Sequence, residues 1–190
     1  IPMYSSMKVI TTCCTTAIIS AASASGLPCW NESGPLRFTR NASSLEEVQL
    51  HLSRCDSHFK PPLSARIHIP TYAAKIRHKA MTVEAWEGAE LIGLIAAYID
   101  DTKRACYLTS ISVLLDWNGR GVATALLAEL MTCAVQANVE SVTLEVSKEN
   151  PAALSLYRKF GFEHVGERGD VAVLKRPVAG LANVPGRSNR

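Results

Sequence analysis

The sequence predicts a single α+β domain with a mixed sheet and helices on its faces. Three observations lead there. Three strand-like runs between Thr82 and Leu115 follow one another with only tight turns between them, which makes an antiparallel meander. From Gly121 onward the apolar period lengthens to that of a helix, and helix and strand then alternate to Leu174. The 190 residues are 47% hydrophobic, 19% charged and 6% aromatic, so the chain can bury a full core without disulfides or metal ions to hold it.

The elements follow in order. Leu36–Thr39 reads as a first strand. Ser44 with Glu47 three residues on is a capping box, and the helix it opens runs through Leu52 with Leu45, Val48 and Leu52 on one face. Pro61-Pro62 and Pro70 break the chain, and Thr71 is expected to cap a second helix that runs to about Ala80. The meander comprises Thr82–Trp86, Leu91–Ile99 and Cys106–Leu115, with turns at Glu87-Gly88 and Asp100-Asp101-Thr102-Lys103. Val122, Ala123, Leu126, Leu127, Leu130, Met131 and Ala134 form one stripe of a helix from Gly121 to about Ala137. Ser141–Val146 alternates as a strand, Pro151 opens a helix to Phe160, and Val171–Leu174 is the last strand. The domain therefore spans 36–176, between a poorly ordered extension over 1–35 and a flexible tail over 177–190.

A net charge of +3 does not call for nucleic acid or an anionic membrane as partner. The six cysteines, Cys13, Cys14, Cys29, Cys55, Cys106 and Cys133, lack paired zinc spacing, which points to reduced thiols, a cytoplasmic location and no metal. Lys8 followed by Val9–Ala22 imitates a secretion signal, but Thr11, Thr12, Thr15 and Thr16 dilute its apolar region. Asn31-Glu32-Ser33, Asn41-Ala42-Ser43 and Arg168-Gly169-Asp170 match short glycosylation and adhesion patterns and are discounted as chance matches.

Chemistry first appears at Asn118-Gly119-Arg120-Gly121-Val122-Ala123, where a strand gives way to the long helix. Backbone N–H groups at a helix start have no helical partner, and the helix dipole favours an anion there. Gly119 and Gly121 let the backbone approach a ligand, Ala123 is nearly as small, and Arg120 adds positive charge, an arrangement suited to a pyrophosphate. A P-loop would need Gly-Lys followed by Ser or Thr, and the dinucleotide fingerprint would need a glycine where Thr124 stands.

The run Leu144-Glu145-Val146-Ser147-Lys148-Glu149-Asn150-Pro151-Ala152-Ala153-Leu154-Ser155-Leu156-Tyr157-Arg158-Lys159-Phe160-Gly161-Phe162 supplies the second constellation. Together the two segments resemble the GNAT N-acetyltransferase superfamily, with its Gln/Arg-x-x-Gly-x-Gly/Ala and Asn-x-x-Ala-x-x-x-Tyr-x-x-x-Gly-Phe motifs. The resemblance implies a mostly antiparallel sheet that binds acetyl-CoA, as co-substrate, at splayed central strands. It implies that Asn118, Gly119, Arg120, Gly121, Val122 and Ala123 hold the CoA pyrophosphate, that Ile111, Ser112 and Val113 pair with the pantetheine, and that Asn150 bonds the pantetheine arm, with Ala153 beside it. It also implies that Tyr157 is the general acid and that a backbone N–H near Val113 holds the oxyanion. Asn118 replaces the usual Gln or Arg and Leu115 the common Pro, so the expectation rests on main-chain contacts.

Elementary acid–base chemistry gives these roles a scale. A thiolate leaving group has an acid pKa near 8.5 and a phenol one near 10, so an unperturbed Tyr157 donates uphill by ~1.5 units, or about 2 kcal/mol. Tyr157 also continues the Ala153, Leu156, Phe160 stripe and reads equally as core. Glu145 points away from Leu144 and Val146, and in some protein-acetylating relatives a glutamate at this position is the base. An ordinary Glu lies about six units below an alkylammonium, so it must be desolvated, act through water, or hold the cation until a neutral amine is recruited.

Between Val48 and Ala80, where relatives wall the acceptor site, stand Arg54, Lys60, Arg66, Lys75, Arg77 and Lys79 against the single acid Asp56, with His51, His58, His68 and His78. That charge would attract an anionic amine and repel a polyamine. Phe59, Tyr72 and Trp117 could line the amine pocket or belong to the core. The expectation is an N-acetyltransferase, monomeric or homodimeric, for a small-molecule or sugar-linked primary amine. The alternatives are a protein N-terminal or lysine acetyltransferase and a non-catalytic acyl-CoA sensor, and the presence of Tyr157 argues against the sensor.

Overall fold

The computed structural model describes residues 36–59 and 61–178. The extension expected over 1–35 and the stretch 179–190 lie outside the described residues. The elements are β1 (Arg37–Arg40), α1 (Leu45–Arg54), α2 (Ile69–Lys79), β2 (Met81–Glu87), β3 (Glu90–Asp100), β4 (Ala105–Val113), α3 (Val122–Gln136), β5 (Ser141–Ser147), α4 (Pro151–Lys159), β6 (Glu163–Arg168) and β7 (Val171–Pro177). The seven strands form one sheet in the order β1-β2-β3-β4-β5-β7-β6, antiparallel throughout except between β4 and β5. A parallel pair cannot be closed by a tight turn, and here α3 makes the crossover.

Each face of the sheet has its own core. On one, Val48 and Leu52 of α1 and Ala73 and Ile76 of α2 pack on Leu94, Ala96 and Tyr98 of β3. On the other, Leu126, Leu127 and Leu130 of α3 and Tyr157 of α4 pack with Ile95, Ile99, Val142 and Leu144. The mixed sheet with helices on both faces is the architecture the sequence predicts.

The local signals account for most boundaries. The Ser44 capping box is complete: the Glu47 N–H donates to Ser44 Oγ at 3.2 Å and the Ser44 N–H donates to Glu47 Oε2 at 2.7 Å. The second helix is a correction, because it starts at Ile69 with His68 in the cap position, and Thr71 is already inside it. Pro70 opens the helix rather than breaking the chain before it, since its missing N–H falls where a helix has no acceptor to offer. Leu115 is not in a strand: β4 ends at Val113, and Leu115–Trp117 is a 3-10 turn. β6 is absent from the sequence reading because nearly all of Glu163–Arg168 is exposed at the sheet edge, where it lacks an apolar face. Pro177 closes β7 instead of opening a tail, and Val178 beyond it is buried.

The feature that positions the site lies at the centre of the sheet. β4 and β5 pair only from Ala105 with Ser141 to Leu108 with Leu144, yet β4 continues to Val113 and β5 to Ser147. Where this pairing stops, the β3–β4 register slips: Ala97 faces Leu108 but Ala96 faces Ser110, leaving Thr109 as the extra residue of a bulge. A bulge bends and twists its strand, which turns the end of β4 away from β5 and opens a gap between them. It also reverses the alternation of faces. Cys106 and Leu108 point to the α3 core before it and Ile111 and Val113 after it, so Ser110 and Ser112 point towards α1 and α2.

Candidate active site

Antiparallel pairing assigns a direction to every backbone group along the gap. The Leu114 N–H donates to the Ile92 carbonyl at 2.9 Å, which sets the phase of the β3–β4 ladder. Counting back from it, Ser112 and Ser110 exchange main-chain bonds with Leu94 and Ala96 of β3, while Ile111 and Val113 turn their N–H and C=O groups into the gap. An extended chain of amides could therefore pair with Ile111 and Val113. Ser112, expected in the same role, is a correction. Its backbone serves β3 and its hydroxyl lies 2.9 Å from His51 Nε2.

The expected phosphate turn lies at the start of α3. Gly119 and Gly121 have φ of 76° and 81°, values that an L side chain resists. A Cβ on either would meet nothing within 4 Å, so backbone conformation, not crowding, calls for glycine. The first intrahelical bond runs from the Ala125 N–H to the Gly121 carbonyl at 3.0 Å, and no side chain caps the helix. The N–H groups of Val122, Ala123 and Thr124 therefore point out of the helix start with no intrahelical acceptor. Arg120 stands 4.9 Å above the Trp117 ring, which holds its charge at the rim of the turn. Trp117 is buried in the α3 core, and Asn118 is exposed. Gly93 was not singled out in the sequence, yet a Cβ there would lie 2.9 Å from Leu126 Cδ1 and 3.0 Å from Val122 Cγ1. Its bare backbone lets the first turns of α3 settle against β3.

The second motif has a structural logic that spacing alone conceals. Asn150 caps α4 by accepting the Ala153 N–H at 3.0 Å, so only its side-chain NH₂ remains to donate to a ligand. The helix ends at Gly161, φ 74°, where the Gly161 N–H bonds the Arg158 carbonyl at 2.9 Å and the Phe162 N–H bonds the Tyr157 carbonyl at 3.0 Å. This paired closure folds Phe162 back onto the helix. Its ring meets Tyr157 edge-on at 5.6 Å between centroids. Tyr-x-x-x-Gly-Phe thus states how one phenol is clamped. Tyr157 is 5% exposed, and burial pushes its pKa well above the usual phenol range. Tyr157 lies in the last turn of α4, away from that helix's positive end, and burial alone sets the direction of its shift.

Glu145 occupies the opposite face. A cavity of about 140 Å³ beside β4 and β5 is lined by Asp100, Lys103, Tyr107, Thr143, Glu145 and Arg168. Arg168 Nη1 donates to Glu145 Oε1 at 2.8 Å, so the carboxylate already has a cationic partner, contributed by the strand the sequence reading missed. The gap therefore lies between Tyr157 on the α3/α4 side and Glu145 on the α1/α2 side. Among the described residues no three His, Cys, Asp or Glu side chains cluster as a metal site, and no helix is long and apolar enough to cross a membrane.

The basic acceptor wall is thinner than its composition. His51 is buried, and desolvation lowers its pKa to about 4, so it adds no charge near neutrality. Arg54 is paired with Glu90. Lys60 lies outside the described residues. Lys75 does reach the sheet, its ammonium 5.8 Å from the Tyr98 ring centroid, and the Tyr72 hydroxyl lies 3.3 Å from Thr109 Oγ1.

Comparison with known proteins agrees with this geometry. Residues 45–162 match the acetyltransferase (GNAT) family, and the chain belongs to that family. An N-alpha-acetyltransferase of Arabidopsis thaliana is 29% identical over 80 residues, 41% of this chain and 42% of the relative. An L-amino acid N-acetyltransferase of Escherichia coli strain K12 is also 29% identical over 80 residues, 40% of this chain and 49% of the relative. The matched stretches thus span less than half of either relative. The PaiA N-acetyltransferase of Thermoplasma acidophilum, solved with coenzyme A, shares the fold at a TM-score of 0.59 and 14% identity, over 74% of this chain and 98% of that one.

Proposed function

We propose that this protein transfers an acetyl group from acetyl-CoA to the primary amine of a small-molecule or sugar-linked acceptor by direct attack. The observation that carries the proposal is the gap itself, with free N–H groups at the start of α3, the main chain of Ile111 and Val113 along one wall, Tyr157 on one face and Glu145 on the other. Acetyl-CoA lies with its pyrophosphate on residues 119–123 and its pantetheine against Ile111 and Val113, while the Asn150 side-chain NH₂ donates to the arm near Ala153. The amine enters from the α1/α2 face.

Nitrogen attacks the thioester carbon, and the oxyanion is held by the Val113 N–H. As the intermediate collapses the C–S bond breaks, the thiolate takes a hydrogen bond and then a proton from Tyr157, and the amine loses a proton to Glu145 directly or through water. The burial of Tyr157 keeps it protonated but makes complete transfer to sulfur harder, so its largest contribution is the hydrogen bond that grows as charge develops on sulfur. Arg168 neutralises Glu145 until an acceptor ammonium competes for it.

A second reading, acetylation of a protein N-terminus, is favoured by Leu144-Glu145-Val146 together with the Arabidopsis relative. A cytoplasmic location accords with the free, buried thiols of Cys55, Cys106 and Cys133. The experiment is thiol release from acetyl-CoA across a panel of small amines and short peptides, with thermal stabilisation by acetyl-CoA measured alongside. Tyr157→Phe should lower kcat by about tenfold or more while stabilisation by acetyl-CoA persists. Equal rates would eliminate the general-acid role, and no stabilisation at saturating acetyl-CoA would eliminate acyl-CoA binding.

A further inference from the structure

Two hydroxyls on the α1/α2 face are enclosed by the fold and make no hydrogen bond, Tyr98 Oη and Ser110 Oγ. Phenylalanine and alanine would fill the same volumes without stranding a polar group, and a buried hydroxyl without a partner forfeits its hydration. Such atoms call for a ligand group when they share one place. Ser110 faces Ala96 across the β3–β4 ladder, and Tyr98 lies two residues further along β3 on the same face, within reach of a long side chain.

The surroundings define what that group must be. Tyr72 places its hydroxyl 3.3 Å from Thr109 Oγ1 at the bulge. Burial first, and the neighbouring Tyr72 second, push Tyr98 up to about 12, so its phenol remains a donor at any working pH. Lys75, exposed on α2, brings its ammonium 5.8 Å from the Tyr98 ring centroid. Hydroxyl donors beside an ammonium suit a carboxylate. Ser110 also borders the mouth of the gap: the last β4–β5 pair is Leu108 with Leu144, beyond which Thr109 and then Ser110 of β4, and Glu145 of β5, lie on the α1/α2 face. One face therefore offers a carboxylate to an ammonium at Glu145 and donors to an anion on the β3 side.

We infer that Tyr98 and Ser110, with Lys75 at the rim, bind the carboxylate of the acceptor, making the substrate an amino acid or short amino carboxylate rather than a neutral amine, a polyamine or a protein N-terminus. The inference rests on the acetyl-transfer reading above and narrows its acceptor.

The test is kcat/KM for a set of free amino acids against the same compounds as carboxamides, in wild type, Tyr98→Phe, Ser110→Ala and Lys75→Met, with the KM for acetyl-CoA followed as well. Wild type should prefer the acids by about tenfold or more, as expected for loss of a charge-assisted contact. Each variant should reduce that preference through the acid's KM, with little change in the KM for acetyl-CoA. Tyr98→Phe should fold at least as stably as wild type, because it removes an unsatisfied group. Acids and amides turned over equally, or a preference unchanged in Tyr98→Phe, would overturn the carboxylate site while leaving acetyl transfer standing. Turnover of neither set, with no stabilisation by acetyl-CoA, would remove the acetyl-transfer reading and this inference with it.

Discussion

His51 makes a quantitative demand on the pH dependence of stability. Its Nδ1 lies 2.9 Å from the Leu91 carbonyl, which can only accept, so the proton is on Nδ1 and Nε2 accepts the Ser112 hydroxyl at 2.9 Å. The ring is 2% exposed and reaches from α1 to β3 and β4, so a second proton would place a charge in the core, a cost that the contacts with Leu91 and Ser112 offset only in part. Desolvation by burial is the largest cause of the fall in its pKa from 6.5 to about 4. The unfolded chain takes up a proton near 6.5 that the folded chain refuses until about 4. Stability from this group is therefore complete above 6.5 and declines as pH falls towards about 4. Between about pH 7.5 and about pH 5 the decline is about 2 kcal/mol, from roughly 1.5 units at 1.36 kcal/mol each, and the full window amounts to about 3 kcal/mol. Urea unfolding followed by tryptophan fluorescence across this range, in wild type and His51→Gln, isolates the effect. The variant should be less stable near neutrality and converge on wild type as pH drops. A wild-type minus variant difference that stays flat to within about 0.5 kcal/mol would refute the neutral buried imidazole.

Three further expectations come from other contacts. Glu84, fully buried, is pushed up by burial but pulled lower on balance by hydrogen bonds from Thr39, Thr82 and Ser43, so its stability contribution is present above its unfolded value of 4.5 and lost as pH falls below that. Glu84→Gln, which turns an amide donor on those donors, should cost about 3 kcal/mol in urea unfolding, and under 1 kcal/mol would contradict the network. Gly93→Val should push Leu126 and Val122 away, cost about 2 kcal/mol and shrink the thermal stabilisation by acetyl-CoA; an undiminished shift would show that the turn at Gly119–Gly121 does not depend on that close approach. Phe162→Leu should lower kcat severalfold with the KM for acetyl-CoA nearly constant, because the Tyr157 ring loses its edge-on clamp, and an unchanged kcat would make that contact purely structural.

The sequence by itself determined what depends on neighbours a few residues apart. The Ser44–Glu47 box, the stripe of α3, the glycine turn before it and the helix start at Pro151 are local hydrogen bonding and periodicity, legible in a line of letters. The motif around Tyr157 was legible too, but its meaning was not: only the returning chain shows that Gly161 exists to bring Phe162 against the phenol. Tertiary structure alone decided the rest. The gap depends on where β4–β5 pairing stops and on a bulge at Thr109 set by β3, neither of which a strand pattern encodes. β6 escaped because an exposed edge strand has no apolar face to advertise it, and with it went Arg168, the partner of Glu145. Composition counted His51 and Arg54 as acceptor-site charge, whereas burial silences one and Glu90, 36 residues away, pairs the other. Whether a polar side chain is charged, paired or left waiting for a ligand is set by groups distant in sequence. For that reason Tyr98 and Ser110 read as ordinary strand residues until the fold encloses them.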